Sequence, residues 1–202
     1  MKCLVVHTHP QSLAALHSAI DGALQISNTV DALVIGAFDQ LDTLGVDTVF
    51  HCPEFTYPTP QDVSDIIKAY AADYSHIISH SDTTSKDYLP YFCGQQQLPM
   101  LSEIRDIISP TEFERGIYAS DAIEVIESKQ PKVILTLKGV YFNNIHTAKP
   151  TIKTITHAAN NQYPKVLKEP IKDPNNIDLM TADVVVSGGR GFGSKEAFDK
   201  LH

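Results

Sequence analysis

The first half of the chain alternates short apolar runs with stretches of helical period. Cys3-Leu4-Val5-Val6-His7 has the composition of a buried strand. Between Gln11 and Ile26, Leu13, Leu16, Ile20 and Leu24 share one face with Ala15, Ala19 and Ala23 beside them, which predicts an amphipathic helix. Ala32–Ile35, closed by Gly36, predicts a second strand, and Thr48–Cys52 a third. Thr59 and Pro60 then offer an N-cap and a first-turn proline, and Val63, Ile66, Ile67 and Tyr70 supply that helix's buried stripe. His76–His80 reads as a fourth strand and Ser85–Gln96 as a further helix. Strands joined by helices call for right-handed crossovers and a parallel sheet covered on both faces. The first half is therefore α/β and doubly wound.

The rhythm changes near Pro99. Phe113–Tyr118 and Ala122–Ile126 are apolar runs joined by Ala119-Ser120-Asp121, a spacing that suits a hairpin. Lys132–Val140 predicts one more strand, so antiparallel strands are appended to a mainly parallel sheet. Residues 143–162 are polar and poorly periodic, and no element is expected there. Lys168–Asn176 holds two prolines, several charges and an Asn pair, the composition of a linker. Beyond it, Ala182-Asp183-Val184-Val185-Val186 reads as a strand that breaks into Ser187-Gly188-Gly189-Arg190-Gly191, followed by a helical pattern to His202. A strand, clustered glycines and a helix N-terminus are how α/β domains build a cradle for phosphate. The expected organisation is an α/β domain over 1–168, a linker over 169–181, and over 182–202 the truncated start of a second α/β domain.

Composition narrows the chemistry. The 202 residues are 43% hydrophobic, enough for a well-filled core, and carry a formal charge of −8, which opposes binding to nucleic acid phosphates. Cys3, Cys52 and Cys93 are far apart and have no metal-ligand spacing; Cys3 and Cys52 lie beside apolar runs and fit small core residues, and the odd count fits a reducing compartment. No apolar stretch approaches the roughly 20 residues that span a bilayer. The chain enters its first strand at once, which leaves no room for a transit peptide. His7, His9, His76 and His80 lie at strand ends where ligand crevices form, but their spacing makes structural histidines the better reading than metal ligands. The loop from Ser79 to Lys86 holds every residue type a hydrolase uses, and equally those of a solvated strand-to-helix loop. There is no Gly-x-Ser-x-Gly elbow, and no catalytic residue is assigned.

Several segments carry a resemblance. Val-Val-Ser-Gly-Gly-Arg-Gly from Val185, with Glu196-Ala197-Phe198 and Leu201 after it, resembles the start of the flavin-binding domain of electron transfer flavoprotein alpha subunits. Leu98-Pro99-Met100-Leu101-Ser102-Glu103-Ile104 is similar to that family's pro-x-ile-ser-asp-val segment. Arg115-Gly116-Ile117-Tyr118-Ala119-Ser120-Asp121-Ala122 resembles its arg-pro-ile-tyr-ala-gly-asn-ala segment, and Val133–Lys138 its val-leu-thr-val-arg strand. The blocks follow the family's order along most of the chain. Two departures stand out: Lys138-Gly139 where the family has arginine and a polar residue, and Ser120 where it has glycine.

The resemblance implies an adenine-nucleotide-hydrolase-like domain without a cofactor of its own, in a heterodimer with a beta subunit that binds one FAD. The complete protein is then a cytoplasmic bacterial electron carrier rather than an enzyme. It takes electrons from acyl-CoA and related dehydrogenases of fatty acid β-oxidation and delivers them to a quinone reductase. Arg190 matches the family arginine that contacts FAD, with Ser187, Gly188, Gly189 and Gly191 around it. This chain by itself is expected to hold FAD weakly or not at all. Two rival readings remain. One is a free-standing adenine-nucleotide-binding domain using Thr8, His9 and Pro10, although that turn lacks a glycine-rich phosphate loop. The other is a flavin-free adaptor that keeps the beta-subunit interface.

Overall fold

A computed structural model of the chain describes residues 1–8, 11–158, 160–165, 167, 182 and 184–201. Two compact units emerge, Met1–Lys165 and Val166–His202. The expected linker over 169–181 lies outside the described residues.

The larger unit is a nine-stranded sheet. In chain order its elements are β1 (Cys3–Thr8), α1 (Leu13–Ile26), β2 (Val30–Ile35), β3 (Thr48–Cys52), α2 (Pro60–Tyr70), β4 (His76–His80), α3 (Ser85–Gln96), β5 (Met100–Ile107), β6 (Glu112–Ile117), β7 (Ala122–Glu127), β8 (Val133–Leu137) and β9 (Thr151–Thr154). The strands lie in the order β7-β6-β5-β8-β4-β1-β2-β3-β9. From β5 to β9 neighbouring strands run parallel; β6 and β7 are antiparallel. The α/β, mainly parallel architecture with appended antiparallel strands is as the sequence pattern predicts.

Side chains alternate across each strand, so β1 feeds two cores. Cys3 and Val5 pack with Leu16, Ile20 and Ala23 of α1, while Leu4 and Val6 face Val63, Ile66 and Ile67 of α2 and Leu89 and Phe92 of α3. All three cysteines are buried and free. Helix α2 starts as its sequence predicts: Asp62 N–H donates to Thr59 Oγ1 at 3.2 Å, Thr59 N–H donates to Asp62 Oδ2 at 3.0 Å, and Pro60 sits in the first turn.

Three expectations are corrected, and β5 is a strand where no element was expected. Strand β5 carries no clean alternation; Glu103 bends it at φ +61°, and the register shifts between Leu101 and Ile104. That bulge lets one strand pair with β8 on one side and antiparallel β6 on the other. Strand β8 is shorter than the run Lys132–Val140, because Gly139–Tyr141 turns into a 3₁₀ helix. Strand β9 falls in the stretch expected to be irregular; it is an edge strand exposed at all four residues, so it has no apolar face to betray it.

The third correction lies in the smaller unit. Val184, Val185 and Val186 form no strand and are exposed, with no sheet partner among the described residues. The expected helix is one turn, α4 (Lys195–Phe198), followed by a 3₁₀ turn at Asp199–Leu201. His202 lies outside the described residues.

Candidate functional site

Within the smaller unit, Arg190 and Gly191 of the five residues singled out in sequence lie on one turn, Gly189 caps it, and Ser187 and Gly188 precede it. Arg190–Phe192 forms a single 3₁₀ turn closed by Phe192 N–H to Gly189 O at 3.2 Å and Gly193 N–H to Arg190 O at 3.1 Å. Gly193 takes φ +71°, a conformation open to glycine. Ser194 then caps α4, its Oγ accepting from Ala197 N–H at 3.2 Å. Phe192 and Phe198 meet edge to face, centroids 5.8 Å apart. A Cβ on Gly188 would stand 2.6 Å from Phe198 and 2.7 Å from Phe192, so this position requires glycine. Around Gly189 and Gly191 the space is open, and a ligand can reach their backbone. Gly188, Gly189, Arg190, Phe192 and Ser194 line a hollow of about 410 Å³; Ser187 and Gly191 do not. The turn thus offers a guanidinium, exposed peptide groups and an aromatic edge in one concavity. Those groups suit an anion or the polar edge of a flat ring.

In the larger unit, the sheet order reverses between β1 and β4, where α/β folds open a crevice at the strands' carboxyl ends. Asp82 organises it. Its Oδ1 accepts from Ser85 N–H at 2.8 Å and its Oδ2 from Gln11 Nε2 at 2.8 Å, with His80 Nδ1 at 3.4 Å. Gln11 Oε1 in turn accepts from Thr8 N–H at 2.8 Å. Burial pushes the Asp82 carboxyl up, but the hydrogen bonds from His80, Ser85 and Gln11 outweigh it and hold the group below its ordinary value. Asp82, Gln11 and the Thr8 N–H are thus paired with one another, while Thr8 Oγ1 and His7 Nε2 are buried without a partner among the described residues.

His7 is buried beside the Phe38 ring, and desolvation pushes its imidazole down to about 3. His76 lies within reach of Ser75 Oγ and Pro110 O at 2.9 and 2.8 Å, and burial is the main cause that lowers its pKa. His9 and Pro10 lie outside the described residues. Among the described residues no group of three His, Cys, Asp or Glu could hold a metal. The Ser79–Lys86 loop is a cap: Asp82 and Ser85 exchange hydrogen bonds at the start of α3. The Asp-x-x-Ser spacing was the signal for it.

Sequence patterning gave no prominence to the outer face of the β6–β7 hairpin. Phe113 and Ile126 turn inward, against the α1-side core. On the opposite face Ile123 and Val125 stand 54% and 58% exposed on an edge strand, with Tyr118 exposed at the turn. β-branched side chains in a row on an open edge are a ready docking surface. Among the described residues no helix is long and apolar enough to cross a membrane.

Comparison with known proteins agrees with the architecture. The electron transfer flavoprotein domain family matches residues 4–171. The chain is 34% identical over 134 residues to the electron transfer flavoprotein subunit alpha of Paracoccus denitrificans, covering 66% of this chain and 44% of that protein. It is 24% identical to the alpha subunit of Pseudomonas aeruginosa over all of this chain and 69% of that protein. A probable mitochondrial alpha subunit of Caenorhabditis elegans is 25% identical across 98% of this chain and 64% of its own length. The chain thus spans 44 to 69% of the length of these relatives. A doubly wound domain with an antiparallel hairpin, matched along four-fifths of its length, belongs to the electron transfer flavoprotein domain family.

Proposed function

We propose that the chain acts as the N-terminal part of an electron transfer flavoprotein alpha subunit. In this reading it pairs with a beta subunit, and the heterodimer carries electrons from acyl-CoA and related dehydrogenases of fatty acid β-oxidation to a quinone reductase. It is an electron carrier of the bacterial cytoplasm rather than an enzyme. The observation that carries the reading is the alignment of alpha subunits with this chain, which in the Pseudomonas aeruginosa protein extends over its whole length.

The residues fit a flavin at the 187–191 turn. Gly188 lets the Phe192 and Phe198 rings close against the backbone, Gly189 and Gly191 admit close approach, and Arg190 can donate to an anionic or carbonyl edge. FAD, when bound, supplies the redox chemistry; the chain's share is to place and polarise its edge. The beta subunit is assigned to the exposed hairpin row at Ile123 and Val125, whose burial would remove an aggregation-prone edge.

A free-standing adenine-nucleotide domain is the weaker reading, since Gln11 already accepts from the Thr8 N–H and donates to Asp82, which leaves those groups engaged. Co-expression with a beta subunit separates the readings. A flavin-containing heterodimer supports the proposal, a colourless heterodimer selects a flavin-free adaptor, and thermal stabilisation of the lone chain by AMP or ATP selects the nucleotide domain.

A further inference from the structure

A cavity of about 570 Å³ lies between the amino-terminal half of α1, the end of β4 and the turn after β8. We propose that it binds an uncharged nitrogen heterocycle of about two fused rings. Such a volume falls in the range of small-molecule sites, roughly 300–1,000 Å³.

The wall is mostly apolar, with Leu13, Ala15, Phe142 and Ile145 contributing. Its outer rim is pinned. Buried Asp21 accepts from Asn144 N–H at 3.2 Å, from Asn144 Nδ2 at 3.2 Å and from His146 Nε2 at 2.9 Å, which fastens the segment carrying Asn143 and Ile145 to α1.

Three polar groups face this apolar space. Ser18 is 6% exposed, and its Oγ has no hydrogen-bond partner among the described residues. His17 Nδ1 is likewise buried without a partner among them. His80 also lines the cavity; its Nδ1 faces Asp82, which leaves Nε2 turned toward Gly139. Unpaired polar atoms at a cavity wall cost stability unless something meets them. Burial, with His146 nearby, lowers the His17 pKa, so both imidazole and hydroxyl are neutral and can each donate or accept.

Charge decides the ligand class. Among the described residues no lysine or arginine lines the cavity, and Asp82 and Asp21 stand directly behind its walls. A phosphate or carboxylate would enter unpaired against two carboxylates. A pure hydrocarbon would leave Ser18 and His17 unmet. A neutral ring with one N–H and one ring nitrogen satisfies both while burying its faces against Phe142 and Ala15. Binding here needs neither flavin nor a beta subunit.

The test is an NMR titration of the ¹⁵N-labelled full chain with benzimidazole, using indene and benzoate as controls. Benzimidazole is expected to shift the amides of His17, Ser18, Gly139 and Asn143, with indene and benzoate each at least tenfold weaker. Ser18→Ala should weaken benzimidazole about tenfold. Ala14→Trp, at an exposed position on the rim, should abolish the shifts while leaving the rest of the spectrum intact. Absence of these shifts at millimolar benzimidazole would overturn the proposal. So would equal binding of either control, or unchanged affinity in Ser18→Ala.

Discussion

Gly116 and Ser120 share one space across the β6–β7 turn: a Cβ built on Gly116 would lie 2.6 Å from Ser120 Oγ and 3.2 Å from Ser120 Cα. Tyr118, Ala119 and Ser120 all take positive φ, at 51°, 56° and 73°. The glycine expected in the turn has in effect moved to the strand, where it makes room for the serine. A side chain at φ +73° costs about 1 kcal/mol, partly offset because glycine has more freedom when unfolded. Ser120→Gly should therefore raise stability by about 0.5 kcal/mol, and Gly116→Ala should lower it by about 1–3 kcal/mol. The double variant should recover much of that loss. Urea unfolding of the four proteins measures the coupling; additive effects would contradict the packing described.

A second close approach fixes the end of β8. A Cβ on Gly139 would stand 2.4 Å from His80 Nε2 and 3.1 Å from Ser18 Oγ. Gly139→Ala is expected to cost about 1–3 kcal/mol and to shift the His80 ring resonances. Gly94, with nothing within 4 Å, is a surface control for a helical glycine, and Gly94→Ala should stabilise by about 0.5–1 kcal/mol.

The pH dependence divides into two windows. The His7 pKa is about 3 when folded, against about 6.5 unfolded, so the unfolded chain binds the extra proton between these values. The stability that comes with neutral His7 is complete above about pH 6.5 and is lost as pH falls toward 3. Asp82, Phe38, His80 and His17 surround this ring; the carboxylate opposes the shift and the other two imidazoles add to it. His7→Leu should flatten the fall between pH 6.5 and 4, with His17 and His76 keeping part of the slope. Asp82 is depressed when folded, so its contribution is present above about pH 4 and disappears below. Asp82→Asn should cost about 1 kcal/mol at neutral pH and remove that acid limb. Urea midpoints collected from pH 3.5 to 7.5 check both.

Much of this was readable from residues alone. Period-3.6 patterns marked α1 and α2 because each buries a continuous stripe, as Leu16 and Ile20 or Val63 and Ile67 do, and continuous apolar runs marked central strands such as β1 and β2, which are buried on both faces. Strand β9 escaped because Thr151–Thr154 buries nothing, and β5 because its bulge at Glu103 breaks the alternation. The tail misled in the opposite sense: Val184–Val186 has strand propensity but no sheet partner among the described residues. Propensity without a partner does not make a strand. The Asp82 network was hidden because it joins residues 71 positions apart, as from Gln11 to Asp82.

The exposed hairpin row gives a surface test. Ile123→Lys and Val125→Lys face outward, so each should change chain stability by no more than about 0.5 kcal/mol. Together they should weaken beta-subunit binding by at least tenfold, since two buried lysines would replace apolar contact. Unchanged affinity, read by sedimentation or calorimetry, would place the interface elsewhere.

The most direct measurement is co-purification of the tagged 202-residue chain with an electron transfer flavoprotein beta subunit, followed by intact mass and visible absorbance. A one-to-one complex with flavin absorbance that Arg190→Ala diminishes is the expected result. A chain that elutes alone and colourless, whatever the beta-subunit concentration, would contradict its assignment as part of an alpha subunit.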